Sequence, residues 1–188
     1  MDFLAKSDSE HVREFTGEAG QPTPDVPSPM NQEETKFISK MILDEVMELM
    51  ATHWPADEAK AILKGFIDDS EDLPKEEYTG DEANQAIHQC ADQADALVDV
   101  YYYSQNAACK KGINLSSVFK LVHSANMAKR DPTTGHFIKR ESDGKIIKPK
   151  GWVAPNVEEE LMRQKNEGSW TKGTTTSSIQ EENKSSNH

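Results

Sequence analysis

Residues 81 to 111 read as one continuous helix, and a helix of that length governs what the rest of the chain must do. Thr79 followed by Glu82 has the form of a capping box at its start, and Gly112 closes it. Inside it, "DQADALVDVYYY" (92 to 103) mixes side chains that pack with Asp92, Asp95 and Asp99, spaced three and four apart. At about 3.6 residues per turn those carboxylates form one stripe. The apolar residues therefore need a neighbouring helix, and the acids beside them need something positive.

A second acidic helix answers the first. Asn31 with Glu34 forms another capping box, and Phe37, Met41, Ile42, Val46 and Leu49 then recur at helical spacing up to about Thr52. In "ILDEVMELM", Glu45 and Glu48 sit three apart with Asp44 adjacent, bordering the apolar stripe. Two antiparallel helices packed about 8–10 Å apart would aim Glu45, Glu48, Asp92 and Asp95 at one point. Four converging carboxylates repel one another and lose hydration. A hard divalent cation resolves that conflict, and Mg²⁺ is the usual choice beside phosphates. The competing reading is that each acid pair is a solvated helix face.

The remaining segments are shorter. "SDSEHVREFTGEAG" predicts a helix capped by Ser7 or Ser9 and stopped at Gly20. "QPTPDVPSP" has four prolines in nine residues and reads as an extended connector. A helix is expected from Ala56 to Ile67, then a polar loop, "DDSEDLPKEEYTG", whose Asp68, Asp69, Glu71 and Asp72 are ordinary solvated charges. Asn114 caps "LSSVFKLVHSANMAKR", which must end before Pro132. His136 to Arg140 and Lys145 to Lys148 flank Asp143-Gly144, a hairpin turn signal. Asn156 caps a last helix through about Lys165, and the Ser/Thr-rich remainder reads as disordered. The expected organisation is a leading segment (1 to 30), a domain (31 to 165) and a tail (166 to 188), all-α with a small β-hairpin near the C-terminus.

Charge narrows the function. A net charge of -12 over 188 residues argues against a general nucleic-acid binder. Residues 129 to 150 nevertheless hold seven bases and three acids, a local +4. Such a patch suits a polyphosphate held with its metal, although a hairpin can equally carry lysines for solubility. No run approaches the ~20 apolar residues of a membrane span, and Met1 to Glu10 does not resemble a signal peptide. Cys90 and Cys109 fall in one helix roughly 28 Å apart (nineteen residues at ~1.5 Å), too far to bridge. Reduced thiols and a cytoplasmic, reducing location are expected.

Other features rank lower. Tyr101, Tyr102 and Tyr103 point in different directions on a helix, so packing is the better reading than base stacking. His88, four residues before Asp92, and the His53-Trp54 pair are candidates for the rim of a site, with packing again ahead. No Gly-rich phosphate loop, CxxC pair, HExxH or nucleophile elbow is present. No ExxH pairs support a di-iron carboxylate bundle.

"ILDEVMEL" followed by "DQADALVD" resembles the EExxE…ExxD signature of the MazG-like all-α nucleoside triphosphate pyrophosphohydrolases, in the phosphoribosyl-ATP pyrophosphohydrolase-like branch. "VREFTGEAGQPTPDVP", "GINLSSVFKLVHSANMAK" and "KRESDGKIIKPKGWVAPN" fit that branch too, so the likeness spans about residues 10 to 162. It implies a helical bundle completed as a homodimer or homotetramer, with Ile87, Ala91, Ala94, Leu97 and Val98 partly against another subunit. Glu45, Glu48, Asp92 and Asp95 become the implied metal ligands, for Mg²⁺ with Mn²⁺ as a substitute. Glu48, with Glu45, becomes the implied catalytic carboxylate, and Asp99 a neighbouring acid. Asn126, Lys129, Lys139 and Arg140 are then expected at the nucleotide. The implied reaction cuts a nucleoside triphosphate between its α and β phosphates. Asp44 and Asp92 stand where the family has Glu, one methylene shorter. That departure leaves open a weakened, nucleotide- or protein-binding bundle, while phosphoribosyl-ATP itself is a third substrate reading.

Overall fold

The computed structural model describes residues 6–71, 76–141 and 144–170. Asp72, Asp143, the first five residues and the expected tail beyond Trp170 lie outside them. Six helices account for the architecture: α1 (Asp8–Glu18), α2 (Gln32–Met50), α3 (Ala56–Asp68), α4 (Glu82–Cys109), α5 (Leu115–Met127) and α6 (Val157–Glu167). The expected all-α class is the observed one. Local signals set most of the boundaries. Ser7 with Glu10 and Asn31 with Glu34 form reciprocal capping boxes. Asn114 and Asn156 cap α5 and α6. Gly112 leaves α4 at φ +73°, a left-handed conformation that favours glycine.

Some boundaries need revising. Asp81, and not Thr79, caps α4: its carboxylate accepts from the Asn84 N–H at 2.9 Å, because Gly80 (φ +104°) intervenes and turns the chain. α5 ends at Met127, earlier than expected, and Asp131 accepts at Oδ1 from Thr133 and Thr134 to form a tight turn instead. The expected hairpin is short: Lys139 bridges Ile146, with the Ile147 N–H donating to the Ile138 carbonyl and the Arg140 N–H to the Lys145 carbonyl at 2.8 Å each, and Arg130 forms a separate bridge with Phe137. The hairpin loop closes through the Gly144 N–H donating to the Arg140 carbonyl at 2.8 Å. Residues 166 and 167, placed in the tail by sequence, continue α6, and Ser169 donates to the Gly112 carbonyl.

The chain divides into two compact units. One comprises residues 1–23 and 101–188, the other residues 24–100, so α4 runs through the boundary. In the first unit α1 and α6 both pack on α5. Phe15 meets Phe137 edge-on at 5.2 Å, and Arg130 pairs with Glu18. Gln164, almost fully buried, accepts from the Asn114 N–H at 2.9 Å and donates to its carbonyl at 3.1 Å. Backbone groups at the start of α5 are thereby satisfied by a side chain of α6.

In the second unit α2 packs on α3. Gln93 on α4 holds the backbone of Met30 from both sides, accepting from its N–H at 2.7 Å and donating to its carbonyl at 3.0 Å. Little apolar surface is buried there: among the described residues only Met50 and Ala59 are buried apolar residues, while Phe37, Leu49, Phe66, Ile67, Ile87 and Val98 are exposed. α4 has no buried residue along its 28 positions. No helix among the described residues is long and apolar enough to cross a membrane.

Candidate active site

The carboxylates sit where helical spacing puts them. Glu45 and Glu48 are exposed on α2, and Asp92, Asp95 and Asp99 are exposed along α4. Their donor oxygens suit a hard divalent cation. The structure does not gather them at one point in a single chain: among the described residues α2 and α4 do not pack closely on each other. No three of these acids lie within reach of one ion, since the only such group among the described residues is His11, Glu14 and His123. The magnesium donors therefore fit by kind and are not within reach of one ion among the described residues.

Two of the acids have local partners. Asp44 is ion-paired to Lys40, one turn earlier on α2. Asp92 accepts a hydrogen bond from the Tyr78 phenol. Partial burial, then that bond and the Asp92 charge, push the Tyr78 phenol above its ordinary pKa. Sequence reasoning passed over Tyr78 because it lies in a polar loop with no periodicity to place it.

Beside Tyr78 opens a cavity of about 870 Å³, lined by Met30, Gln32, Thr35, Lys36, Glu76, Glu77, Tyr78, Gln85, Gln89 and Gln93. Gln85, Gln89 and Gln93 recur every four residues, so one side of α4 presents a row of amides. Helical geometry sets that row roughly a quarter turn from the Asp92–Asp95–Asp99 stripe. Amides of this kind donate and accept, as reading the edge of a base requires. The row was also legible in the sequence and was overlooked beside the acids.

The basic residues form a separate cluster in the other unit. Lys129 Nζ donates to Asn126 Oδ1 at 2.7 Å, so these two expected substrate residues do meet. Trp152 joins them: its indole N–H donates to the Ala125 carbonyl at 2.7 Å, and its ring lies 5.6 Å from Lys129 Nζ and 4.4 Å from Lys148 Nζ. Burial, then the charge of Lys148, lowers the Lys129 pKa from its usual value. Lys148 and Trp152 were not among the expected site residues, although both lie in the basic "KIIKPKGW" run. Lys139 is half-buried in the bridge with Ile146, its Nζ near Gly20, and Arg140 is exposed at the loop. Neither joins the Asn126–Lys129 hydrogen bond.

Six helices, two of which carry paired carboxylates, and almost no sheet give the all-α architecture of the MazG-like class. The profile of the phosphoribosyl-ATP pyrophosphohydrolase family matches residues 12–126, more than half of the chain, and the chain belongs to that family. It is accordingly a nucleotide pyrophosphohydrolase. The match contains Glu45, Glu48, Asp92, Asp95, Asp99 and Asn126 and stops before Lys129 and Trp152. A candidate NTP pyrophosphohydrolase from Exiguobacterium sp. 255-15, known from its crystal structure, is similar to this chain at 26% identity and a TM-score of 0.71. The likeness covers 86% of this chain and 98% of that one. No curated protein sequence matches it.

Proposed function

We propose that this protein hydrolyses nucleoside or deoxynucleoside triphosphates between the α and β phosphates, releasing a monophosphate and pyrophosphate. The observation that carries the proposal is the pair of exposed carboxylate couples, Glu45/Glu48 and Asp92/Asp95, on two helices inside the family match. Mg²⁺, with Mn²⁺ as a substitute, would be held by those four and would supply charge neutralisation at the phosphate oxygens and orientation of the attacking water. Glu48 accepts the proton of that water as general base. Asp99 shapes the field beside it. Lys129, held by Asn126, stabilises phosphate charge, with Lys148, Lys139 and Arg140 adding to the positive potential.

A second copy of the chain completes the site in this proposal. The unit that carries the acids leaves Phe37, Leu49, Ile87 and Val98 exposed, and a homodimer or homotetramer built as a helical bundle covers such faces. The two cysteines are free, in keeping with a reducing, cytoplasmic setting.

A panel of nucleotides, including phosphoribosyl-ATP, assayed with and without Mg²⁺ tests this directly. Pyrophosphate and orthophosphate are read separately, beside Glu48→Gln. Metal-dependent pyrophosphate release that falls by orders of magnitude in Glu48→Gln, with unchanged helical content, is the expected result. Equal turnover in that variant removes Glu48 from the role. One observation favours a second reading, a bundle that binds nucleotide with little turnover: the two aspartates standing for Glu, Asp44 and Asp92, are engaged by Lys40 and Tyr78. Tight nucleotide binding without release of either product would select it.

A further inference from the structure

We propose that His11, Glu14 and His123 form a zinc site that staples α1 to α5, separate from the carboxylates of the candidate active site. One ligand atom from each lies within 4.8 Å of the others. His11 and Glu14 are three apart on α1 and so share a face, while His123 comes from the middle of α5. The two imidazole rings are 4.6 Å apart, centre to centre. Their burial is nearly complete, at 0% and 4% exposure, whereas the Glu14 side chain keeps 35%. Two buried imidazoles and a carboxylate at the solvent edge give the closed floor and open mouth that an entering ion needs.

The donor set selects the metal. Magnesium and calcium take oxygen ligands, and a trio with two imidazole nitrogens suits zinc or a neighbouring transition ion. Ligand atoms on zinc bonds of about 2.0–2.2 Å sit roughly 3.4 Å apart, so rotations of the three side chains must draw the group in by about an ångström. Lys6 donates to one Glu14 oxygen at 2.8 Å, which orients the carboxylate as outer hydrogen bonds orient metal ligands and leaves its second oxygen to bind. The Phe119 ring lies parallel to His123 at 6.0 Å and 6.5 Å from His11, an apolar wall that keeps water from that side. Three protein ligands leave a fourth position for water. Because the ligands come from two helices, the ion would fasten the N-terminal helix to the rest of its unit, and binding would raise stability.

The test uses the full chain, stripped with a chelator and dialysed. Zinc is titrated in competition with a chromophoric chelator, melting is followed with and without it, and Co²⁺ serves as a spectroscopic probe. One zinc per chain, a Tm raised by several degrees, and visible Co²⁺ bands without a near-ultraviolet thiolate band are expected. Affinity should fall at least about tenfold in His123→Gln and in Glu14→Ala, and stay unchanged in Glu48→Gln and in a Cys90→Ser/Cys109→Ser variant. Glu14→Ala decides the matter if the buried histidine variant does not fold, because Glu14 lies at the surface. No zinc retained, binding unaltered in Glu14→Ala, or binding lost with the cysteines would each overturn the site.

Discussion

Gln164 is 4% exposed with both ends of its amide bonded to the backbone of Asn114, whereas Phe37 and Leu49 stand 65% and 69% exposed on α2. The contrast extends to whole regions. The unit built from α1, α5 and α6 is tied together internally by Gln164, the Glu18–Arg130 pair and the Phe15–Phe137 contact. The unit that carries the acids leaves Phe37, Leu49, Phe66, Ile67, Ile87 and Val98 exposed. A hydrophobic face costs about 25 cal/mol for each Å² left in water, so the second unit is the one with most to gain from a partner. The first holds itself together, and its basic cluster is consequently formed in a single chain: Asn126 and Lys129 already touch. The acidic donors of α2 and α4 do not come within reach of one ion among the described residues.

Experiments that break this contrast can be ordered by expected effect. Glu48→Gln, on the acidic unit, should cost orders of magnitude in turnover with no change in fold. Leu97→Asp, a charge on the exposed face of α4, should turn the proposed oligomer into monomer in light scattering and take most of the activity with it. A monomer that retains full turnover would show that one chain suffices for the site. Lys129→Ala removes a phosphate contact from the preformed cluster and should lower kcat/KM by about 10²-fold without altering assembly. Gln164→Ala leaves the Asn114 N–H and carbonyl without their partner and should destabilise the first unit by about 1–3 kcal/mol, read as a lower Tm with oligomeric state unchanged.

The smallest effect is electrostatic. Glu160 lies beside Arg163, whose hydrogen bond, helped by the Gln164 amide, brings its pKa down from 4.5 to about 2. A carboxylate depressed on folding contributes stability that is fully present above about pH 4.5 and is lost as pH falls toward 2. Glu160→Gln should flatten that acid limb of the stability curve and leave neutral-pH activity alone. An unchanged acid limb would mean the pair contributes nothing to folding.

The six helices were legible because helix formation is local. Asn31 with Glu34, Asn114, Asn156 and Gly112 each act within a turn of themselves, and each set a boundary where the sequence placed it. The cap of α4 was misplaced by two residues since Thr79 and Asp81 are both good caps, and only the turn at Gly80 decides between them. The hairpin pairs where its turn signal placed it, and only its ladder is short. A turn signal fixes a reversal of the chain, while the length of the ladder depends on what the strands can rest against.

The candidate site divides along the same line. Spacing alone put Glu45 with Glu48 on one face, and Asp92, Asp95 and Asp99 on another, and it put Asn126 within a turn of Lys129. Those relations live inside single helices or just past their ends. Tyr78 on Asp92, Trp152 between Lys129 and Lys148, and the meeting of His11 with His123 join residues 14, 23 and 112 positions apart in the chain, and no periodicity relates them. The sequence by itself determined the helices, their acidic and apolar faces and the class of chemistry they serve. Only the tertiary structure decided which faces are covered within one chain, because burial depends on what comes to lie opposite, and that is settled by packing between distant segments.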